Sequence, residues 1–126
     1  MAGAVRIPIS FDRAYLPLAV SLRTGPKDAH VTVDGDQVDV QMGWAFCARF
    51  KRSQVVRTAI DMSSVISRGA HGRRGRWLVN GAGPPLVEIT LDPPARARVA
   101  LVPIRLRELV VSVEDADELI GALEGR

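Results

Sequence analysis

The chain of 126 residues has one cysteine, Cys47, so no disulfide framework within the chain holds it together. It has two histidines, His30 and His71, in or near loops with no signature spacing. Two histidines and one cysteine are too few for a zinc site by motif. Cys47 has no evident base, so the plain reading is a structural cysteine beside Arg49. No P-loop, GxGxxG or GxSxG occurs, so no motif commits the chain to nucleotide or acyl chemistry. Aromatics make up only 5% of residues, too few to interleave a basic surface with base-stacking rings. The longest apolar run, around Tyr15–Val20, is far too short to span a bilayer and contains Pro17. The start lacks the layout of a secretory signal. These absences lead us to expect a cytoplasmic, non-enzymatic chain with no integral membrane segment, no cofactor and no metal.

Apolar residues are nevertheless 47% of the total, enough for one domain spanning 1–126 with a real core. The net charge of +3 is unevenly spread. Residues 49–76 carry eight basic side chains and one acidic, while residues 77–126 carry five basic and eight acidic. Such asymmetry bears on anionic partners rather than on fold. Fifteen of the seventeen basic residues are arginine.

Alternation dominates the pattern. Ile7, Ile9 and Phe11 predict a first strand, with Pro8 placing it at an edge or a bulge. Leu16, Leu18, Val20 and Leu22 predict a second, and 24–28 a loop. Val31 and Val33 lead through Asp34-Gly35-Asp36 into Val38, a hairpin signal. The hairpin tip also accounts for Asp34, Asp36 and Asp39, which lack calcium-loop spacing. Val38, Val40, Met42, Trp44, Phe46, Ala48 and Phe50 then share one face. That run exceeds an ordinary strand, so it predicts two strands or one sharply bent strand, with the bend near Gly43. Residues 53–66 suit a loose helical turn or an irregular strand. Residues 67–76, SRGAHGRRGR, read as a flexible basic loop. Strands resume around Trp77 and Val79, then Val87–Leu91, with a turn at Asp92-Pro93-Pro94. A further strand over Ala97–Leu101 is broken at Pro103. Trp44 and Trp77 read as core or barrel-mouth residues.

The last stretch organises the rest. Val111 and Val113 end a strand, Asp115 is a good N-cap, and Glu118 has the capping-box spacing. Asp117 and Glu118 suit the positive end of a helix dipole. Leu119, Ile120 and Leu123, with Ala116, form a narrow apolar stripe. So short a helix needs an apolar surface to lie on. We expect it to cover the open end of a barrel.

WLVNG…LVEITLDPP…LRELVVSVEDADELIGALE, from Trp77 onward, resembles bacterial pleckstrin-homology-like domains. The resemblance implies a mainly β fold: a strongly bent antiparallel barrel of about seven or eight strands with one short C-terminal capping helix. It implies little about activity; we expect a non-enzymatic binding or protein-interaction module, with a protein partner or a second copy of the chain as a homodimer through one sheet. The alternative is an anion-binding protein, for nucleic acid or acidic lipid headgroups, acting through the basic tract 49–76. Its candidate residues are Arg68, His71, Arg73, Arg74 and Arg76, whose guanidinium forks match phosphate oxygens. A solvated loop explains the same residues without a ligand.

Overall fold

The computed structural model describes residues 4–11, 29–62, 69–73, 75–80 and 85–125, of which 69–73 and Asn80 are described in backbone only. The expected strand at Leu16–Leu22, the loop at 24–28 and the turn at 81–84 lie outside these residues.

Nine strands of the described residues join one sheet: β1 (Val5–Pro8), β2 (Ala29–Asp34), β3 (Gln37–Met42), β4 (Phe46–Lys51), β5 (Val55–Asp61), β6 (Gly69–Arg73), β7 (Arg76–Asn80), β8 (Leu86–Val99) and β9 (Val102–Ser112). A C-terminal helix, α1 (Ala116–Leu123), follows. Strand order is β1-β2-β3-β4-β8-β9-β7-β6, and β5 pairs with β8 off this path. All pairs are antiparallel except β7 with β9.

The β8–β9 hairpin is the spine. Along one edge, β8 pairs β5 through Leu86–Leu91 and then β4 through Arg96–Val99. Between them the ladder to β9 jumps from Thr90↔Glu108 to Ala95↔Leu106, so four β8 residues oppose Arg107 alone. Asp92-Pro93-Pro94 therefore does not turn the chain back, contrary to expectation. It bulges a continuous strand, and a bulge bends and twists its strand enough to change partners. Pro103 likewise does not end a strand. It lies opposite Arg98, one step from the Val99↔Val102 pair that closes the hairpin. Backbone groups on alternate residues face alternate edges, so its missing N–H points away from β8.

The expected bend at Gly43 is present. Gly43 takes φ +51° in the turn between β3 and β4. Val38, Val40, Met42, Phe46, Ala48 and Phe50 are buried as the alternation requires, while Trp44 rides outside on the turn. Residues 53–66 resolve, as far as they are described, into a 3-10 turn at Arg52–Gln54 and β5 with an irregular register at its start. The basic stretch, expected as a loop, pairs its backbone instead: β6 and β7 form a hairpin closed by Arg73↔Arg76. Gly75 in its turn has φ +83°, and a Cβ there would meet Arg107 Cγ at 3.1 Å and Arg105 O at 3.3 Å. Its carbonyl accepts from both Arg107 N–H (2.8 Å) and Glu108 N–H (3.0 Å), which fastens the hairpin to β9. Only glycine supplies both the conformation and the clearance.

The sheet curls until its first strand meets the end of its last. Ile9 bridges Val113, and Pro8 O accepts from Glu114 N–H at 3.0 Å. Ile9 N–H turns the other way, to Ala29 O, so Pro8 does sit on the outer edge of β1. The ladders of the named strands stop short of a full ring. One core fills the curl, from Ile7 and Ile9 through Phe46 and Ile89 to Leu106, Leu109 and Val113. α1 touches β1, β2, β5 and β8 and adds Ala116, Leu119 and Leu123 to that core, with Ile120 half-buried. Asp115 caps it, its carboxylate accepting from Glu118 N–H at 3.0 Å. The apolar stripe expected to lie on the sheet is thus buried against the core of the curl, although the sheet is not a closed barrel.

Candidate functional site

The described residues of the basic tract 49–76 are divided among several elements. Arg49 is on β4, where its Nε donates to Asp39 Oδ1 at 2.7 Å across the β3–β4 ladder. That bond, and the carboxylate charge behind it, raise the pKa of Arg49 above its ordinary value. Arg52 reaches under the end of α1, its Nη1 3.5 Å from Ala122 O, where a cation suits the negative end of the helix dipole. Arg57 is exposed on β5. Arg76 on β7 pairs with Glu108 and lies 3.7 Å from Glu88. Of the other candidates, His71 and Arg73 are placed by backbone alone, opposite Leu78 and Arg76. Arg68 and Arg74 lie outside the described residues. β8 and β9 separate Arg49 from Arg76, so those two do not belong to one cluster.

A different group of arginines does. Registers across β3, β4, β8 and β9 align Asp39, Arg49, Arg96 and Arg105 in one lateral row. The neighbouring row on the same face is Gln41, Cys47, Arg98 and Pro103. Arg49, Arg96, Arg98 and Arg105 are all exposed. They line an open cleft of about 750 Å³ with Cys47, Asp39 and Pro103. A second hollow, of about 480 Å³, shares Ile104 and Arg105 and adds Trp77, Gly75 and Arg107. Asp39 is paired with Arg49, and among the described residues no carboxylate pairs with Arg96, Arg98, Arg105 or Arg107. Like charges directly opposite on a sheet are destabilising. The fold therefore sets these cations side by side at a cost.

Sequence reasoning missed this face because Arg96, Arg98, Arg105 and Arg107 belong to the segment with net negative charge. The signal was their alternation, R-x-R on either side of a turn, which places them on one face only once residues 96–107 are read as a hairpin.

At the end of that hairpin is an apolar tip. The two-residue turn Ala100-Leu101 abuts the β3–β4 turn, Ala100 N–H donating to Ala45 O at 3.0 Å. Leu101 is 75% exposed and Trp44 53%, with Val102 exposed beside them. Ala100 and Leu101 have φ of +49° and +71°. For residues with a Cβ that conformation costs about 1–2 kcal/mol each, and asparagine and glycine avoid it. Strained, exposed apolar residues at a turn are poor choices for stability and point to use.

On the same outer face, Arg6 Nη2 lies 3.1 Å from His30 Nδ1. Arginine only donates, so in this contact Nδ1 is the acceptor. Burial, then the charge of Arg6, lower the His30 pKa, and Asp39 partly opposes them. Among the described residues no cluster of histidine, cysteine and carboxylates could hold a metal ion, and no helix is long and apolar enough to cross a membrane. Comparison with known proteins found no matching family model, no matching curated protein and no matching solved structure.

Proposed function

We propose that this chain is a non-enzymatic binding module of pleckstrin-homology-like type whose arginine face docks on an anionic surface, with acidic lipid headgroups as the ligand. The curled sheet stoppered by α1 supports the family reading. The observation that carries the function is the row Arg49, Arg96 and Arg105, with Arg98 beside it, facing outward from three adjacent strands. An anion in the cleft offsets the repulsion within that row and receives forked hydrogen bonds from it.

The tip favours a lipid surface over nucleic acid. Trp44 and Leu101 are exposed on two abutting turns at the end of the strands that carry the arginines, and an aromatic ring suits the boundary between headgroups and acyl chains. Arg98 is level with Pro103, two residues from Leu101, so at about 3.3 Å per residue it sits roughly 7 Å behind the tip, at headgroup depth when the tip is inserted. Cys47 faces Gln41 and Arg98 across its ladders. Working against the inner leaflet would place the chain in the cytoplasm.

The test is co-sedimentation with phosphatidylcholine vesicles, with and without phosphatidylserine, over a range of salt. Binding should require phosphatidylserine, weaken as salt rises, and be lost in Arg96→Glu/Arg105→Glu. Equal binding to both vesicles, or none to either at physiological salt, would overturn the reading. Salt-sensitive binding to DNA or RNA with none to vesicles would give the face a different partner.

A further inference from the structure

We infer that β5 is a self-association edge, at which two copies of this chain pair antiparallel about Ala59. β5 is held along one side by β8, and among the described residues no strand pairs with its other side. Natural sheets blunt an open edge with charges, prolines or short strands. β5 has seven residues, no proline, and apolar side chains open to solvent: Val56 at 58%, Met62 just beyond it at 66%, and Ile60. Its irregular register lies at Val55–Arg57, leaving Arg57 to Asp61 regular.

The register follows from charge. Arg57 and Asp61 are the charged residues of the strand and have opposite signs. In an antiparallel self-pair, Arg57 meets Asp61 of the second copy only when Ala59 faces Ala59. By symmetry this happens twice. Thr58 then opposes Ile60, and Val56 opposes Met62, so no apolar side chain meets a charge. A shift of one residue either way sets Asp61 against Val56 or Thr58 and loses both ion pairs. Arg57, Ala59 and Asp61 share one face, being opposite Thr90, Glu88 and Leu86, so the two ion pairs form on the same face of the joined sheets. A carboxylate accepts from more than one donor, so Asp61 can take this guanidinium and keep a bond within its own chain. A single strand pair buries little area, which places the dimer among weak, concentration-dependent assemblies.

Sedimentation equilibrium from roughly 1 μM to 1 mM spans the affinities such a contact can have. Wild-type protein should pass from monomer to dimer in that range. Arg57→Asp and Asp61→Arg, each setting two like-charge pairs across the axis, should each weaken the dimer about tenfold or more. Arg57→Asp/Asp61→Arg should restore it. Amide exchange on the wild-type protein supplies a readout independent of any variant: residues 57–61 should exchange more slowly at high concentration. A wild-type monomer throughout, a double variant as weak as the singles, or concentration-independent exchange in β5 would each overturn the inference.

Discussion

The β8–β9 hairpin carries two outer surfaces, one on each side of its bulge at Asp92-Pro93-Pro94, and they treat charge in opposite ways. On the α1 side, the row across β5, β8, β9 and β7 reads Arg57, Thr90, Glu108 and Arg76, with Glu88 within reach of Arg76. Cation and anion alternate there, and Arg76 is held by Glu108. On the tip side, the row reads Asp39, Arg49, Arg96 and Arg105, with one acid for three cations. The same two strands thus build a charge-balanced half and an unbalanced one over a shared core. A sheet face that only had to be wet would be served by the first arrangement. The second is costly by itself and becomes favourable when an external anion completes it.

The largest expected effect tests the shared core. Leu106 and Leu109 are both fully buried under the hairpin, one beneath each half. Leu106→Ala and Leu109→Ala should each cost about 2–5 kcal/mol in denaturant unfolding. Loss confined to one of them would mean that the halves are not one folding unit. Next come the cations. Arg96→Glu/Arg105→Glu should weaken binding to phosphatidylserine vesicles about thirtyfold or more, at roughly 1 kcal/mol for each basic residue near an anionic surface. Its melting temperature should hold or rise. Arg76→Glu should do the reverse, leaving binding nearly unchanged while lowering stability by up to about 1 kcal/mol, the scale of an exposed ion pair. Identical effects on binding at the two sites would dissolve the distinction between the halves.

A third effect is smaller and opposite in sign for fold and function. Replacing the strained turn by Ala100→Asn/Leu101→Gly should stabilise the protein by about 1–2 kcal/mol while weakening vesicle binding several-fold. Stabilisation with unchanged binding would remove the tip from the account. The smallest effect is read at His30. Burial and Arg6 depress its pKa below 6.5, so folding favours the neutral ring. The unfolded chain then binds the extra proton, and this contribution to stability, intact above pH 6.5, is lost as pH falls below it. Melting temperature should drop between pH 7.5 and pH 5.5, and His30→Gln should drop less. A His30 titration at or above 6.5, followed by NMR, would contradict the geometry around Arg6.

Much of the fold was legible because it rested on local rules. The even-numbered apolar face from Val38 to Phe50, the break at Gly43 and the cap at Asp115 each follow from residues within a few positions of one another. Pro93, Pro94 and Pro103 misled for a physical reason. Proline ends a strand only when its nitrogen must donate inward, and bulges and free edges lift that condition. The site was less legible than the fold. Arg49 and Arg96 are neighbours only because β4 pairs with the second half of β8, a register that no local pattern specifies. Charge counted along the chain drew attention to 67–76, whereas charge counted across the sheet gathers on β4, β8 and β9.

Cys47 makes the account directly measurable, since it is the one cysteine of the chain, is exposed, and lies in the cleft between Arg49 and Arg98. Its rate of modification by an uncharged maleimide should fall severalfold when the protein is bound to phosphatidylserine vesicles and recover when salt releases it. An unchanged rate with the protein fully bound would mean that some other surface holds the membrane.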